Sequence, residues 1–276
     1  MSLADAIKKE IKSKRIPLED SRCAKIRESF DSLFAMPPIP EQELAFERQL
    51  FSRGTGCVLR AGLHVSSITT APTKYCPREQ VLALLYAPRD MGRTTNPALL
   101  RIWEEGNFIH KKWQRLFLRG GLCAPEDLDR TRYNQNYMLQ YSPDAEINLF
   151  NKNFIVEIKS MNCFIYDKTE KHVEGEKQLR MYMYLSGIKN GIILMENKNT
   201  QDFKLNIISH NEDKIVEFIS RLEFIKSCYE AKTMPDRHDQ CKTELSKRCQ
   251  ECAYSIPCWC DKSLRKGLLL KNAKFE

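Results

Sequence analysis

Residues 141–159 read YSPDAEINLFNKNFIVEIK, and the order of apolar and charged residues in this stretch decides the fold. Apolar and polar side chains alternate over its last six residues, as they do in a β-strand. This alternation places Glu157 and Lys159 on one face and apolar residues on the other. We expect residues 137–150 to fold back as a hairpin partner, which would bring Asp144 to the same edge of the sheet.

Two carboxylates and an ammonium at one sheet edge form a hard-oxygen metal site with a cation beside it. Asp144, Glu157 and Lys159 would then provide what the hydrolysis of a phosphodiester needs. On its own the pattern is equally typical of an exposed strand edge that carries a solvated ion pair. The choice between these interpretations depends on the surrounding motifs.

Composition sets the class of protein. The chain has 276 residues, 42% of them apolar, which is enough for one substantial core, and a net charge of +8 that suits a polyanionic partner. Its first residues are charged and contain no apolar signal region, and no apolar run reaches the length of a membrane span. We expect a soluble intracellular protein, cytoplasmic or nuclear, with no membrane partner.

Two helical patterns flank the central stretch. Residues 97–119 carry an apolar stripe that includes Trp103 and Trp113, and Gly106 and His110 lie one turn apart along it. Gly106 costs about 1 kcal/mol of helix stability relative to alanine, which a close approach at that turn would explain. Residues 174–187 predict a second helix, ended by a glycine, on which Gln178 and Tyr182 are neighbours.

Eleven cysteines in an intracellular chain favour metal binding by a subset of them over a disulfide framework. Cys249, Cys252 and Cys258 lie within ten residues, and this spacing can hold one metal centre. Both zinc and an iron–sulfur cluster suit such thiolates. The fourth ligand could be Cys76, Cys241 or Cys260. Cys76 opens a predicted helix, where the helix dipole favours a thiolate.

Together these motifs resemble the PD-(D/E)XK nuclease superfamily and its RecB-like branch. The resemblance rests on Pro143-Asp144 followed by Glu157-x-Lys159, on Gly106-x-x-x-His110 upstream, and on Gln178-x-x-x-Tyr182 downstream. It implies an α/β restriction-endonuclease-like core with a mixed central sheet flanked by helices. It also implies one or two Mg²⁺ or Mn²⁺ ions held by His110, Asp144, Glu157 and the Ile158 carbonyl. Lys159 would then position the attacking water, and Gln178 and Tyr182 would orient the nucleic-acid strand.

The cysteine pattern is similar to that of the iron–sulfur members of this branch. In the CRISPR-associated exonucleases, the AddB nuclease domain and the exonuclease V family, one cysteine precedes the nuclease core and three follow it. The resemblance implies a cluster, 4Fe-4S in type, held by Cys76, Cys249, Cys252 and Cys258, with zinc as the alternative. The segment before Cys76 is longer than in that group, and Cys241 and Cys260 are additional candidate ligands.

We therefore expect a helical N-terminal extension (1–60), a nuclease core (61–232) and a cysteine-rich cap with a basic tail (233–276). The expected activity is metal-dependent hydrolysis of DNA, by an exonuclease acting on single strands or duplex ends in recombination or repair. No Walker A motif is present, so a helicase partner would be a separate chain. The alternatives are a non-catalytic nucleic-acid-binding or protein-interaction subunit on the same scaffold, and a zinc-ribbon regulatory protein.

Overall fold

The computed structural model describes residues 21–37, 62–85 and 97–259, with single positions at 41 and 45. Several expectations lie outside these residues. They concern most of the helical N-terminal extension over residues 1–60, the additional candidate ligand Cys260 and the basic tail. The boundaries between the three expected domains stay predictions.

The described secondary structure alternates short strands with helices. The α-helices are α1 (Ser21–Leu33), α2 (Val65–Ile68), α3 (Pro77–Leu84), α4 (Pro97–Arg119), α5 (Cys163–Lys168), α6 (Val173–Ser186), α7 (Val216–Glu230), α8 (Lys247–Glu251) and α9 (Ser255–Trp259). The strands are β1 (Leu63–His64), β2 (Arg132–Asn134), β3 (Leu139–Tyr141), β4 (Ala145–Leu149), β5 (Lys152–Met161), β6 (Asn190–Asn197) and β7 (Phe203–Ser209).

A four-stranded mixed sheet in the order β4-β5-β6-β7 forms the centre. β4 and β5 are the expected hairpin, antiparallel with Ala145 opposite Val156. β6 runs parallel to β5 with Ile193 opposite Glu157, and β7 returns antiparallel to β6. The parallel pair needs a crossover, which α5 and α6 supply. Strands β1, β3 and β2 form a second, smaller mixed sheet.

Both faces of the central sheet are buried, because β5 carries apolar side chains on each side. Phe154, Val156 and Ile158 pack with α1 and α4, whereas Ile155 packs with α6 and α7. Helices thus cover the two faces, and the mixed α/β fold class predicted from the sequence is confirmed. Helix α6 ends as predicted, since Gly187 follows it at φ +77°.

Helix α4 has the predicted bounds but a shorter buried stripe than expected. Trp113 is 1% exposed and stacks edge-on against Phe203, whereas Trp103 is 49% exposed. Only the C-terminal half of α4 lies over the sheet core, so the prediction that Trp103 belongs to a buried stripe is wrong. The N-terminal half projects beyond the carboxyl end of β5. No helix in the described part of the chain is long and apolar enough to cross a membrane.

Candidate active site

Strand β5 presents its charged pair on one face, as its alternation predicts. The Nζ atom of Lys159 lies 2.5 Å from Oε1 of Glu157. The Glu157 side chain is only 3% exposed, whereas that of Lys159 is 25% exposed. A carboxylate is therefore held at the bottom of the site, and an ammonium closes it toward solvent.

Asp144 lies at the edge of the sheet, directly before β4 begins. Its Oδ2 atom accepts a hydrogen bond of 2.7 Å from the backbone N–H of Ile158. In an antiparallel ladder the N–H and C=O groups of one residue face the same neighbour, so the Ile158 carbonyl faces this edge as well. The hairpin register therefore brings Asp144, Ile158 and Glu157 to one place.

Helix α4 supplies the imidazole. Nδ1 of His110 lies 3.1 Å from Oδ1 of Asp144, the carboxylate oxygen that Ile158 leaves free. One turn earlier, a Cβ atom on Gly106 would lie 3.2 Å from Oγ of Ser160, so glycine allows the helix to approach the end of β5 closely. This close approach is the reason expected for a glycine within the helix.

One residue of this arrangement was not singled out from the sequence. The amide Nε2 of Gln114 donates to the backbone carbonyl of Asp144 at 2.7 Å, and Gln114 is 3% exposed. His110 and Gln114 lie one helical turn apart and hold the side chain and the main chain of the same aspartate. Their i, i+4 spacing was the available signal, but an isolated glutamine has no catalytic signature.

The charges at the site shift the pKa values of its acids in opposite directions. Burial, and next the Asp144 carboxylate, raises the pKa of Glu157 to about 7, although Lys159 partly offsets this. Burial acts in the same sense on Asp144, but its pKa is lowered overall because His110, Lys159 and the Ile158 N–H favour the ionised form. Burial opposes a charge on His110, yet the Asp144 carboxylate raises its pKa overall. Asp144 is thus the ionised member of the pair, and Glu157 is the member that titrates near neutrality.

Helix α6 supports the lysine. Oε1 of Gln178 accepts from Lys159 at 3.4 Å, and its amide donates to the hydroxyl of Tyr182 at 2.5 Å. At the start of the helix, Nδ1 of His172 accepts from the N–H of Gly175, and a Cβ atom on Gly175 would lie 3.2 Å from Cε of Lys159. Gln178 and Tyr182 thus join the site from one helix face, and His172 and Gly175 are further neighbours that the sequence did not indicate.

The donor set fits a divalent cation. Two carboxylates, an imidazole and a carbonyl are ligands that Mg²⁺ and Mn²⁺ accept. Burial and, next, the Asp144 carboxylate raise the pKa of Glu157, and a bound cation would offset the repulsion between the two carboxylates. Within residues 21–37, 62–85 and 97–259, no three side chains of the ligating types already form a shell for one ion. The donors instead pair with each other, Glu157 with Lys159 and Asp144 with His110.

The cysteines form a second constellation away from these acids. A pocket between α3 and the C-terminal segment brings together five thiols that are up to 182 positions apart in sequence. These are Cys76, Cys241, Cys249, Cys252 and Cys258. None of the nine cysteines in the described part of the chain forms a disulfide. The pocket therefore contains the four cysteines expected from the family resemblance together with Cys241; Cys260 is outside the described residues.

Polar groups around the pocket point at the sulfur atoms. Nε of Arg78 donates to Sγ of Cys258 at 3.1 Å, the indole of Trp259 donates to Cys249 and the N–H of Tyr254 donates to Cys252, both at 3.4 Å. Arg78 is buried and also donates to the carbonyl of Pro235 at 2.7 Å. Donors of this kind stabilise thiolates, and they would tune a bound metal or cluster.

Burial changes one expectation for these thiols. Cys76 precedes α3 as predicted, but burial raises its pKa and outweighs the favourable position at the helix start. Burial likewise raises the pKa of Cys252 and of Cys241 to about 12. Cys76, Cys241 and Cys252 would therefore release protons if they bound a metal.

No protein-family model matches this chain, and no curated protein matches it in sequence. Among solved structures, LHK-Exo in complex with dAMP aligns at 16% identity and TM-score 0.46, over 62% of this chain and 89% of that chain. LHK-Exo is an alkaline exonuclease from Laribacter hongkongensis. A phage-related exonuclease from Haemophilus somnus 129PT aligns at 14% identity and TM-score 0.43, over 63% and 96%. The crystal structure of SSO0001 aligns at 15% identity and TM-score 0.41, over 78% and 94%.

Proposed function

We propose that this chain is a divalent-metal-dependent nuclease that hydrolyses DNA phosphodiester bonds. The observation that carries the proposal is the convergence of Asp144, Glu157, Lys159 and His110 from two strands and a helix. His110 and Asp144 lie 3.1 Å apart, and Glu157 and Lys159 lie 2.5 Å apart. An exposed strand edge with a solvated ion pair would not bury Glu157 to 3% exposure.

In this proposal His110, Asp144, Glu157 and the Ile158 carbonyl hold one or two Mg²⁺ or Mn²⁺ ions. Such an ion supplies Lewis-acid chemistry, which makes water a nucleophile at neutral pH and offsets the phosphate charge. The imidazole favours Mn²⁺ over Mg²⁺. Glu157 must lose its proton before it can bind a cation, because its pKa lies near 7 in the metal-free site.

The proposed role of Lys159 is to act on the attacking water and on the phosphate. Its ammonium is partly exposed, so it can orient the attacking water and neutralise charge that develops on the phosphate. Gln178 accepts one Lys159 hydrogen bond and so limits the directions the ammonium can take, while Tyr182 fixes the Gln178 amide. These two residues would also orient the strand.

For the cap, we propose a structural iron–sulfur cluster held by Cys76, Cys249, Cys252 and Cys258, with zinc as the alternative occupant. The supporting observation is the common pocket of these thiols and the donors aimed at their sulfur atoms. The cluster would tie α3 to the C-terminal segment. Visible absorbance of protein purified without oxygen separates the two occupants, because a zinc site is colourless.

The direct test of the nuclease is digestion of end-labelled single- and double-stranded oligonucleotides with Mg²⁺ or Mn²⁺. We expect shortening of strands from an end in the presence of metal and no reaction in chelator. Binding of DNA with no cleavage under any metal would instead support the non-catalytic alternative. A helicase partner and a role in recombination or repair are further parts of this proposal.

A further inference from the structure

A cleft of about 660 Å³ opens at the carboxyl ends of the parallel strands β5 and β6. In open sheets with parallel strands, ligands bind in crevices at this end, and 660 Å³ is within the range of ligand sites. Ser160, the residue after Lys159, lines the cleft together with the projecting half of α4 and the segment that joins α5 to α6. His172, whose hydrogen-bond partner Gly175 lies against Lys159, also lines the cleft, so the β5–β6 cleft adjoins the candidate active site.

The walls of the cleft carry exposed apolar side chains. Ile102 on α4, Ile165 on α5 and Val173 at the start of α6 all line it, and each is more than half exposed. Three large apolar side chains on one concave surface are typical of a binding site. They leave an apolar surface for a flat partner such as a nucleobase.

Two lysines lie on the same rim. Lys171 is exposed, and Lys198 donates one hydrogen bond of 2.9 Å to the Ile102 carbonyl, which leaves two ammonium protons for other acceptors. Of the acids on the rim, Glu105 lies 3.9 Å from Lys198 itself and is too far away to take one of its hydrogen bonds, and Glu174 lies 3.4 Å from Lys177, outside the cleft. The rim can therefore pair with phosphate oxygens.

We propose that the β5–β6 cleft binds unpaired nucleotides of the strand being cleaved, with bases against Ile102, Ile165 and Val173 and phosphates at Lys171 and Lys198. This rests on the proposed function, since the strand would run from the cleft to the phosphodiester at Lys159. Apolar walls select unpaired bases, because the faces of bases in a duplex are already stacked on their neighbours. The cleft thus makes single-stranded DNA the preferred substrate.

The test measures binding apart from cleavage, by fluorescence anisotropy of a labelled single-stranded oligonucleotide without added divalent metal. Lys171→Glu is compared with Lys152→Glu, which makes the same charge change at an exposed lysine at the opposite end of β5. Val173→Asp is compared with Val216→Asp. These two valines are 59% and 58% exposed, and each is the first residue of a helix.

We expect each cleft variant to weaken single-strand binding by about tenfold and each control by less than about twofold, since roughly one phosphate or one base contact is lost. Lys171→Ala should also reduce the salt dependence of binding by about 0.7 in the slope of log K against log salt. Equal losses of affinity in cleft and control variants, or a preference of the parent for blunt duplex, would contradict the proposal that the cleft binds unpaired nucleotides. A protein that binds single strands through the cleft but never cleaves them would contradict the proposed nuclease activity and still support the proposed binding site.

Discussion

The Glu157 carboxylate and the Lys159 ammonium form an ion pair of 2.5 Å on one face of a single strand. The pair is held from two sides, because Gln178 accepts from the lysine and the sheet buries the glutamate. A second Lys–Glu pair, Lys226 and Glu230 on α7, has the same chemistry but is exposed and 3.9 Å apart. A substitution that removes a charge should therefore affect cleavage in the first pair and not in the second.

Glu157→Gln and Lys159→Ala should each abolish metal-dependent cleavage, by a factor of at least about 10² to 10³ in rate. The first removes the charge of a proposed metal ligand, and the second removes the cation that would face the reacting phosphate. Glu230→Gln and Lys226→Ala should cleave at the parent rate. The measurement is single-turnover digestion of a labelled oligonucleotide, with circular dichroism to verify that each variant is folded. Parent-like cleavage by Glu157→Gln or Lys159→Ala would remove that residue from the mechanism.

The pKa of Glu157 predicts how stability depends on pH without metal. Burial, and next Asp144, raises this pKa from 4.5 to about 7, so between these values the folded chain binds more protons here than the unfolded chain. The stabilisation from this group is complete below about pH 4.5 and is lost as pH rises through about 7. We expect the urea midpoint to fall between about pH 5 and pH 8, and Glu157→Gln to reduce that fall.

His110 contributes a loss in the same direction, because its pKa is also raised, whereas the lowered pKa of Asp144 contributes a loss as pH falls. The comparison between parent and Glu157→Gln therefore isolates the glutamate. Saturating Mn²⁺ should abolish the difference in slope, since a bound cation keeps the carboxylate ionised. Identical slopes for parent and variant in metal-free buffer would show that Glu157 titrates normally.

Gln114→Leu should raise the Mn²⁺ concentration needed for half-maximal cleavage by about 10- to 100-fold, because the Asp144 main chain loses its hydrogen bond. The rate at saturating Mn²⁺ should recover most of the parent value, since Gln114 touches neither metal nor phosphate. Gln80→Leu removes a similarly buried amide from α3, and it should lower stability without changing the metal requirement. Equal metal requirements in the two variants would assign Gln114 a purely structural part.

Cys252→Ser should yield colourless, poorly soluble protein, because one ligand of the cap is lost. Cys163→Ser, at a partly exposed thiol outside the pocket, should retain colour and solubility. The measurements are visible absorbance and iron content after anaerobic purification. A stable, brown and active Cys252→Ser protein would contradict the structural cluster, and loss of colour in Cys241→Ser would place Cys241 among the ligands.

The central hairpin could be predicted because one short alternation determines both faces of β5. Its register then brings Asp144 to Ile158 without further information. Helices α4 and α6 could also be predicted from the sequence, since Gly106, His110, Gln178 and Tyr182 lie at helical spacing. What the sequence could not provide was contact between distant elements, as in the bond from Gln114 to the Asp144 carbonyl.

Two errors have a common physical origin. Trp103 follows the apolar period of α4 but lies where the helix has passed the end of the sheet. Cys76 is at a helix start that favours a thiolate, yet burial has the larger effect on its pKa. Periodicity and helix position are local properties, whereas burial depends on which elements cover a residue. The presence of Cys241 in the thiol pocket is a tertiary result of the same kind.

The bond from Arg78 to Cys258 has a consequence for how the chain is made. The two residues are 180 positions apart. At about 5 to 20 residues per second, a ribosome needs roughly 10 to 40 s to deliver the second after the first. Until Pro235 is made, a growing chain carries α3 without the carbonyl that pairs with the Arg78 guanidinium, and Cys76 waits longer for the thiols that follow. Chaperones, and the machinery that delivers metal to nascent proteins, would therefore meet Cys76 before its partners exist, and a message truncated ahead of codon 249 would leave it without Cys249, Cys252 and Cys258.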